Sequence, residues 1–300
     1  MSDPLRFVVM GQGRAGSARI RAIEAHPGAE LAGVLHQGDC ADPERLAAAL
    51  RALSSDVAVV CTPNALHVPQ CEVALQAGLH VLMEFPLAPG ARSARSLLER
   101  ARATGRVLHV GHIELLAPSQ EAQRERAAML GRPVGGQLHF RGGVEGWIGD
   151  DALAGSPALR GLARLHRLVD LFGEVRIREA SLTRRSPGYR LEVTLAFTSA
   201  RPGSDAGGPV QASSPLLPPG GTTRLVEERG PDLPRATTWQ IECERGVLGP
   251  PPDVPARGVF AQDLDHMIQR VAGRTESYLA ERLELHVLEQ IEEIDARVTG

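Results

Sequence analysis

Phe7-Val8-Val9-Met10-Gly11-Gln12-Gly13-Arg14-Ala15-Gly16-Ser17-Ala18-Arg19-Ile20-Arg21 is the stretch whose reading decides the fold. A short apolar run, Phe7 to Met10, meets a glycine turn, and from Ser17 onward the chain reads as a helix with Ile20 and Ile23 on its inner side. Strand, glycine turn and helix in that order open a dinucleotide-binding unit. Gly11 permits the tight turn, Gly13 lets the backbone approach a pyrophosphate, and Gly16 lets helix and strand pack closely. The helix N-terminus adds free N–H groups and partial positive charge that favour phosphates. Glycine turns are common in a chain with 32 glycines, so the pattern gains weight from its place after a strand and at the start of a helix.

Working outward, strands are expected at Glu30–His36, Val57–Cys61, His80–Glu84 and Val107–Val110, with helices at Pro43–Leu53, His67–Ala77 and Ala91–Ala103 between them. Strands alternating with helices at this spacing make βαβ units and an α/β fold with a doubly wound parallel sheet, a Rossmann domain over residues 1–116. An acidic residue ending the second strand would bind the ribose 2′-OH and repel a 2′-phosphate. His36-Gln37-Gly38 stands there instead, so NADPH and NADH both remain open, with Arg14 and a protonated His36 able to assist the former. Cys61-Thr62-Pro63-Asn64 closes the third strand at its carboxyl end, where ligands sit in open α/β sheets, and His67 orients the loop after Thr62. Glu84 ends a buried strand beside the nicotinamide position, where a carboxylate needs a partner or a purpose. The expected coenzyme contacts are therefore Gly11, Gly13, Arg14, Ala15, Gly16, His36, Gln37, Cys61, Thr62, Pro63, Asn64, His67 and Glu84.

Past Leu116 the pattern changes. Helices are expected at Gln120–Leu130 and Leu159–Phe172 and a strand at Gln137–Arg141. From Val175 the period becomes two: Leu191, Val193, Leu195 and Phe197 share one face of a strand with Glu192 and Thr194 on the other. Thr222–Glu228 and Thr237–Arg245 behave alike, with Trp239, Ile241 and Cys243 on one side. Residues 117–300 thus read as an α+β domain with a mainly antiparallel sheet. It carries a Pro/Gly/Ser-rich flexible insertion near 200–221 and two closing helices, Phe260–Val271 and Glu276–Val298. The second sheet face is free to bind substrate, to pair with another subunit as a homo-oligomer, or both.

Composition narrows the function classes. A net charge of -3 and 3% aromatics leave no concentrated basic face and little base stacking, which argues against nucleic acid. No apolar run reaches the length of a membrane span and the first residues lack a leader pattern, so a cytoplasmic enzyme without membrane contact is expected. Cys40, Cys61, Cys71 and Cys243 show no metal-ligand spacing, and no metal is expected. All 33 basic residues are arginines, which excludes a Schiff-base lysine and any lysine acid.

The glycine turn, Cys61-Thr62-Pro63-Asn64-Ala65-Leu66-His67, the run Ala77 to Pro86 and the two-domain layout together resemble the glucose–fructose oxidoreductase and inositol dehydrogenase (Gfo/Idh/MocA) family. Within that family the chain more closely resembles the animal-type biliverdin reductase branch. GRAGSARIR, HVLMEFPL, VLHVGHIELL, GLARLHRLVDLFGEV and EERGPDLPR carry it in order, from about residue 5 to residue 300, broken by the insertion near Ala200. Most dehydrogenases of the wider family place a lysine between the positions of Glu84 and Pro86; this chain has Phe85, and the biliverdin reductase branch is similar in having an aromatic there. The resemblance implies NADPH or NADH as coenzyme and a bilin tetrapyrrole as substrate, reduced at its central methine bridge. It gives Arg164 the role of orienting a water or the propionates, because it matches an arginine of that branch and guanidinium is a poor acid. Glu84 and Phe85 stand with Arg164 as the catalytic set. Two propionates call for guanidinium partners, and Arg141, Arg164, Arg167 and Arg235 are candidates, each also readable as a surface arginine. His166 is either a stand-in for the family's histidine, aligned at Arg167, or a packing residue. His112 and Glu114 are either substrate contacts or hinge residues. Two other readings stay open: a sugar or cyclitol dehydrogenase with His166 or Glu84 as base, and a nucleotide- or bilin-binding protein without turnover.

Overall fold

A computed structural model of the chain describes residues 3–40, 42–198, 221–253 and 258–299. In chain order the elements are β1 (Leu5–Met10), α1 (Arg14–Ala25), β2 (Ala29–Leu35), α2 (Pro43–Ala52), β3 (Val57–Val60), α3 (His67–Gln76), β4 (His80–Glu84), α4 (Ala91–Ala103), β5 (Leu108–Gly111) and α5 (Ile113–Leu116). There follow α6 (Pro118–Leu130), β6 (Pro133–Gly142), α7 (Asp151–Ala154), α8 (Pro157–Arg160), α9 (Leu162–Phe172), β7 (Val175–Arg184), β8 (Tyr189–Phe197), β9 (Thr222–Arg229), β10 (Ala236–Cys243), β11 (Gly246–Leu248), α10 (Val259–Val271) and α11 (Glu281–Thr299). They divide into two compact units, Met1–Leu116 with Arg257–Glu281, and Ala117–Ala256 with Arg282–Gly300.

The first unit is a parallel sheet in the order β2-β1-β3-β4-β5, the doubly wound arrangement expected from the alternating strands and helices. β3 is buried at every residue and β1 at its last four, as the continuous apolar runs require when helices cover both faces. One apolar cluster joins Phe7, Val9, Ile23, Val57, Val59 and Leu82 to Leu264 and Met267 of α10. Here the structure departs from the sequence reading, which placed both closing helices in the second domain: α10 completes the core of the first unit with its apolar stripe. The last helix also starts later than expected, at Glu281, because Tyr278 leaves helical geometry to bond the end of β5 and Asp263.

The second unit is built on a six-stranded sheet, β11-β10-β6-β9-β8-β7, antiparallel except for β6 against β9. Leu138, Phe140, Leu191, Val193, Trp239 and Ile241 are buried on one face, with α9 contributing the buried Leu162, Leu165, Leu168 and Val169. The expected helix Leu159–Phe172 is broken at Gly161 into α8 and α9. Of the Pro/Gly/Ser-rich insertion, residues 200–220 lie outside the described residues. Among the described residues no helix is long and apolar enough to cross a membrane.

Candidate active site

The glycine turn sits between β1 and α1, with Gly11 at φ +90°, a conformation that a side chain would strain. A Cβ on Gly11 would lie 2.7 Å from the Cys61 carbonyl oxygen, and one on Gly16 only 2.0 Å from the Gly11 carbonyl oxygen. Gly13 differs: a Cβ there would meet nothing within 4 Å. Gly13 is also the N-cap of the 12-residue α1, with no side-chain cap and no acidic residue in the first turn. Space is thus left open at the uncapped helix N-terminus, the cradle that a phosphate fills, so the residues present fit a dinucleotide. Arg14 and Ala15 open the helix, Arg14 exposed. Beyond β2, His36 and Gln37 are exposed, and the His36 N–H donates to Asp39 Oδ2 at 2.9 Å. Asp39, absent from the sequence reading, thus spends its carboxylate on the loop.

At the ends of β3 and β4 the expected residues gather within this unit. His67, 1% exposed, bridges the two loops through Nδ1 to the Pro86 carbonyl oxygen at 2.8 Å and Nε2 to the Thr62 carbonyl oxygen at 2.9 Å. Thr62 Oγ1 donates to Gln70 Oε1 at 2.7 Å, and Pro63 and Asn64 form the short turn that leads into α3. Cys61 is an inert thiol, its pKa pushed up by burial and then by Glu84. Phe85 stacks on His112, ring centroids 5.6 Å apart and planes 14° from parallel, and Glu114 follows half-buried in α5. Glu84 has the partner its position demanded, and the sequence reading missed it: Arg19 Nε donates to Glu84 Oε1 at 2.8 Å, and Nη2 lies 2.6 Å from the same oxygen. The signal was present, since Gly16, Arg19 and Ile23 recur at helical spacing and Arg19 therefore falls in the inward stripe.

Burial lowers the pKa of His67 against its carbonyl partners, and lowers that of His109 against Asp263. A histidine whose folded pKa is depressed contributes stability that is complete above its unfolded value, ~6.5, and is lost as pH falls through the folded pKa. The thermal midpoint should therefore fall between about pH 7 and about pH 5, and His67→Gln and His109→Gln should each flatten that fall. A midpoint constant across this range would contradict the assignment.

In the second unit Arg164 is buried, and its Nε and Nη2 both donate to Glu227, at 3.0 Å and 2.8 Å. Arg229 Nε donates to the same Glu227 at 2.8 Å. The Arg164 and Arg229 guanidinium carbons lie 4.3 and 4.7 Å from the centre of the Phe140 ring, and the exposed Arg235 lies at 5.9 Å. Three arginines, one carboxylate and one aromatic ring thus form a cluster with excess positive charge. Sequence reasoning named Arg164 and Arg235 but neither Glu227 nor Arg229. Two of its candidates lie apart from this cluster. Arg141 follows Phe140 in β6 and is exposed, so the strand's alternation turns it to the opposite face. Arg167 donates to Gln120 Oε1 at 2.8 Å and lies over the Trp239 ring at 4.8 Å, which makes it a packing residue between α6, α9 and β10. His166 is buried 3.6 Å from Glu284.

Residues 5–112 match the family model of the oxidoreductase family with NAD-binding Rossmann fold, and residues 127–203 that of the biliverdin reductase catalytic region. Biliverdin reductase A of Mus musculus is 33% identical over 96% of this chain and 94% of its own length. Its counterpart from Homo sapiens is 30% identical over the same shares. A crystal structure of biliverdin reductase from Synechocystis sp. PCC 6803, in complex with biliverdin and NADP+, shares the fold with a TM-score of 0.78, at 20% identity over 99% of this chain and 100% of that one.

Proposed function

The chain belongs to the oxidoreductase family with an NAD-binding Rossmann fold, in its biliverdin reductase branch, and on that premise we propose that it reduces biliverdin to bilirubin with NADPH or NADH. The observation that carries the reading is the cluster of Arg164, Glu227, Arg229 and Phe140, in a chain whose likeness to biliverdin reductase A runs through both units. When bound, a nicotinamide coenzyme would supply a hydride for the pigment's central methine bridge.

The protein's own part begins at the glycine turn, where the N-terminus of α1 would hold the pyrophosphate. Phe85, held against His112, offers a flat apolar shelf where a lysine would carry an acid. Reduction also requires a proton on a pyrrole nitrogen. A guanidinium does not release one at neutral pH, so Arg164 orients a water toward that nitrogen. Its geometry fits this task better than that of a propionate clamp: Glu227 occupies Nε and Nη2, the edge a carboxylate would take side-on, and leaves Nη1. Arg235, at the exposed end of the cluster, is the better partner for a propionate. The competing polyol reading needs a free base, but Glu84 is committed to Arg19, and His166 is buried beside Glu284. As further parts of this reading the enzyme works in the cytoplasm, and the polar outer face of the second sheet, with Arg190, Glu192, Arg224 and Glu228 in ion pairs, is where a second subunit would pair.

Mixing protein, biliverdin and either reduced coenzyme should remove the pigment's long-wavelength absorbance while the coenzyme is oxidised. No spectral change with either coenzyme would refute the proposal.

A further inference from the structure

Arg19 is completely buried, yet it is held by carboxylates on both sides. Opposite Glu84, its Nη1 donates to Asp263 Oδ2 at 2.5 Å, from α10, 244 positions away in the sequence. Asp263 is itself fully enclosed and satisfied. Its Oδ1 lies 2.9 Å from His109 Nε2 and 2.8 Å from the Tyr278 hydroxyl, which donates to it. Arg270 donates to His109 Nδ1 at 3.0 Å, which fixes the neutral ring with its proton on Nε2, toward Asp263. Burial opposes the Asp263 charge, but Arg19 first, then His109 and Tyr278, hold its pKa below the usual carboxylate range.

Such a network is weak evidence for a stabilising role, because buried ion pairs exchange for apolar side chains at little loss. Its placement points elsewhere. Room for the guanidinium is kept by Gly111, the register partner of Glu84: a Cβ there would lie 2.2 Å from Arg19 Nη2 and 3.0 Å from Asp263 Oδ2. Both contacts from Arg19 fall on Glu84 Oε1, so Oε2, at the carboxyl end of β4, is left to accept from a ligand.

We infer that Arg19 and Asp263 are positioning residues for the coenzyme: Asp263 anchors Arg19, and Arg19 fixes Glu84 so that its second oxygen accepts a hydrogen bond from a hydroxyl or amide of the nicotinamide nucleoside. This rests on the reading of Glu84 as a coenzyme ligand. It makes coenzyme affinity depend on α10, a helix outside the span that the Rossmann family model matches.

The test is fluorescence titration of the full chain with NADPH and NADH, without pigment, for Glu84→Gln, Asp263→Asn and the double variant, with thermal unfolding of each. Each single variant should weaken binding about tenfold, and the double variant no further than the weaker single, because both act through one oxygen. Unchanged affinity in Glu84→Gln overturns the reading of Glu84 as a ligand. Affinity lost in Glu84→Gln but kept in Asp263→Asn, or effects that multiply in the double variant, overturn the positioning role. Should Asp263→Asn fail to fold, Gly111→Ala takes its place, since its Cβ displaces the guanidinium without changing charge. It should weaken binding in the parent and not in the Glu84→Gln background, and equal weakening in both would overturn the inference.

Discussion

Arg164→Ala is expected to lower kcat for biliverdin reduction by about 100-fold or more and to destabilise the second unit by about 3 kcal/mol. The first effect follows from losing an oriented donor at the proton-accepting nitrogen, a group that acts in the transition state more than in substrate binding. The second follows from Glu227, which is 1% exposed and, among the described residues, would keep Arg229 alone as a cationic partner. Removing one member of a buried pair costs more than the pair contributes, because the remaining charge is stranded. Arg164→Lys should rescue neither, since an ammonium cannot reproduce the two parallel bonds from Nε and Nη2. Steady-state kinetics with denaturant unfolding checks both halves. A variant with unchanged kcat would remove Arg164 from the mechanism, and one with unchanged stability would contradict the buried pair.

Gly16→Ala should abolish measurable coenzyme binding, a loss of about 100-fold or more, and lower stability by about 3 kcal/mol, whereas Gly13→Ala should weaken binding and leave stability near that of the parent. On propensity alone Gly16→Ala favours the helix, by up to about 1 kcal/mol, whereas Gly13 is the N-cap, where Ala is no better than Gly. Sterics reverse this at Gly16, where the new carbon would lie 2.0 Å from a backbone oxygen that cannot swing aside. At Gly13 the same carbon meets no protein atom within 4 Å and intrudes only on the space where the pyrophosphate belongs. Thermal unfolding with coenzyme titration separates the two outcomes. Parent-like binding in Gly13→Ala would mean that the phosphates lie elsewhere.

The features legible in the sequence are those set by local pattern. The glycine turn, the apolar runs of β1 and β3, and the period of two in β8 and β10 each follow from a few neighbouring residues, and the structure has the Rossmann sheet and the mixed, mostly antiparallel sheet that they imply. What stayed hidden depends on residues far apart in the chain. The amphipathic face of α10 is visible in Leu264 and Met267, but nothing local says that it closes over Phe7 and Ile23. Arg19 lies in an inward stripe, yet in a chain whose only cations are arginines it reads as surface until Glu84 and Asp263 are seen on either side of it. Glu227 escapes because a carboxylate in line with the inward Thr223 and Leu225 of β9 reads as solvent-facing until Arg164 and Arg229 are seen against it. Arg141 and Arg167 suited the chemistry by residue type, but strand alternation and an aromatic partner set them apart from the Arg164 cluster. Arg164 was named from its motif, and periodicity alone would have left it among the buried residues of α9.

The most direct measurement repeats the biliverdin reaction with coenzyme deuterated at the nicotinamide C4 and locates the label in the product by NMR. One deuterium at the central methylene of bilirubin is the predicted result. Label in solvent, label at another carbon, or coenzyme oxidation with no label in the pigment would contradict the account.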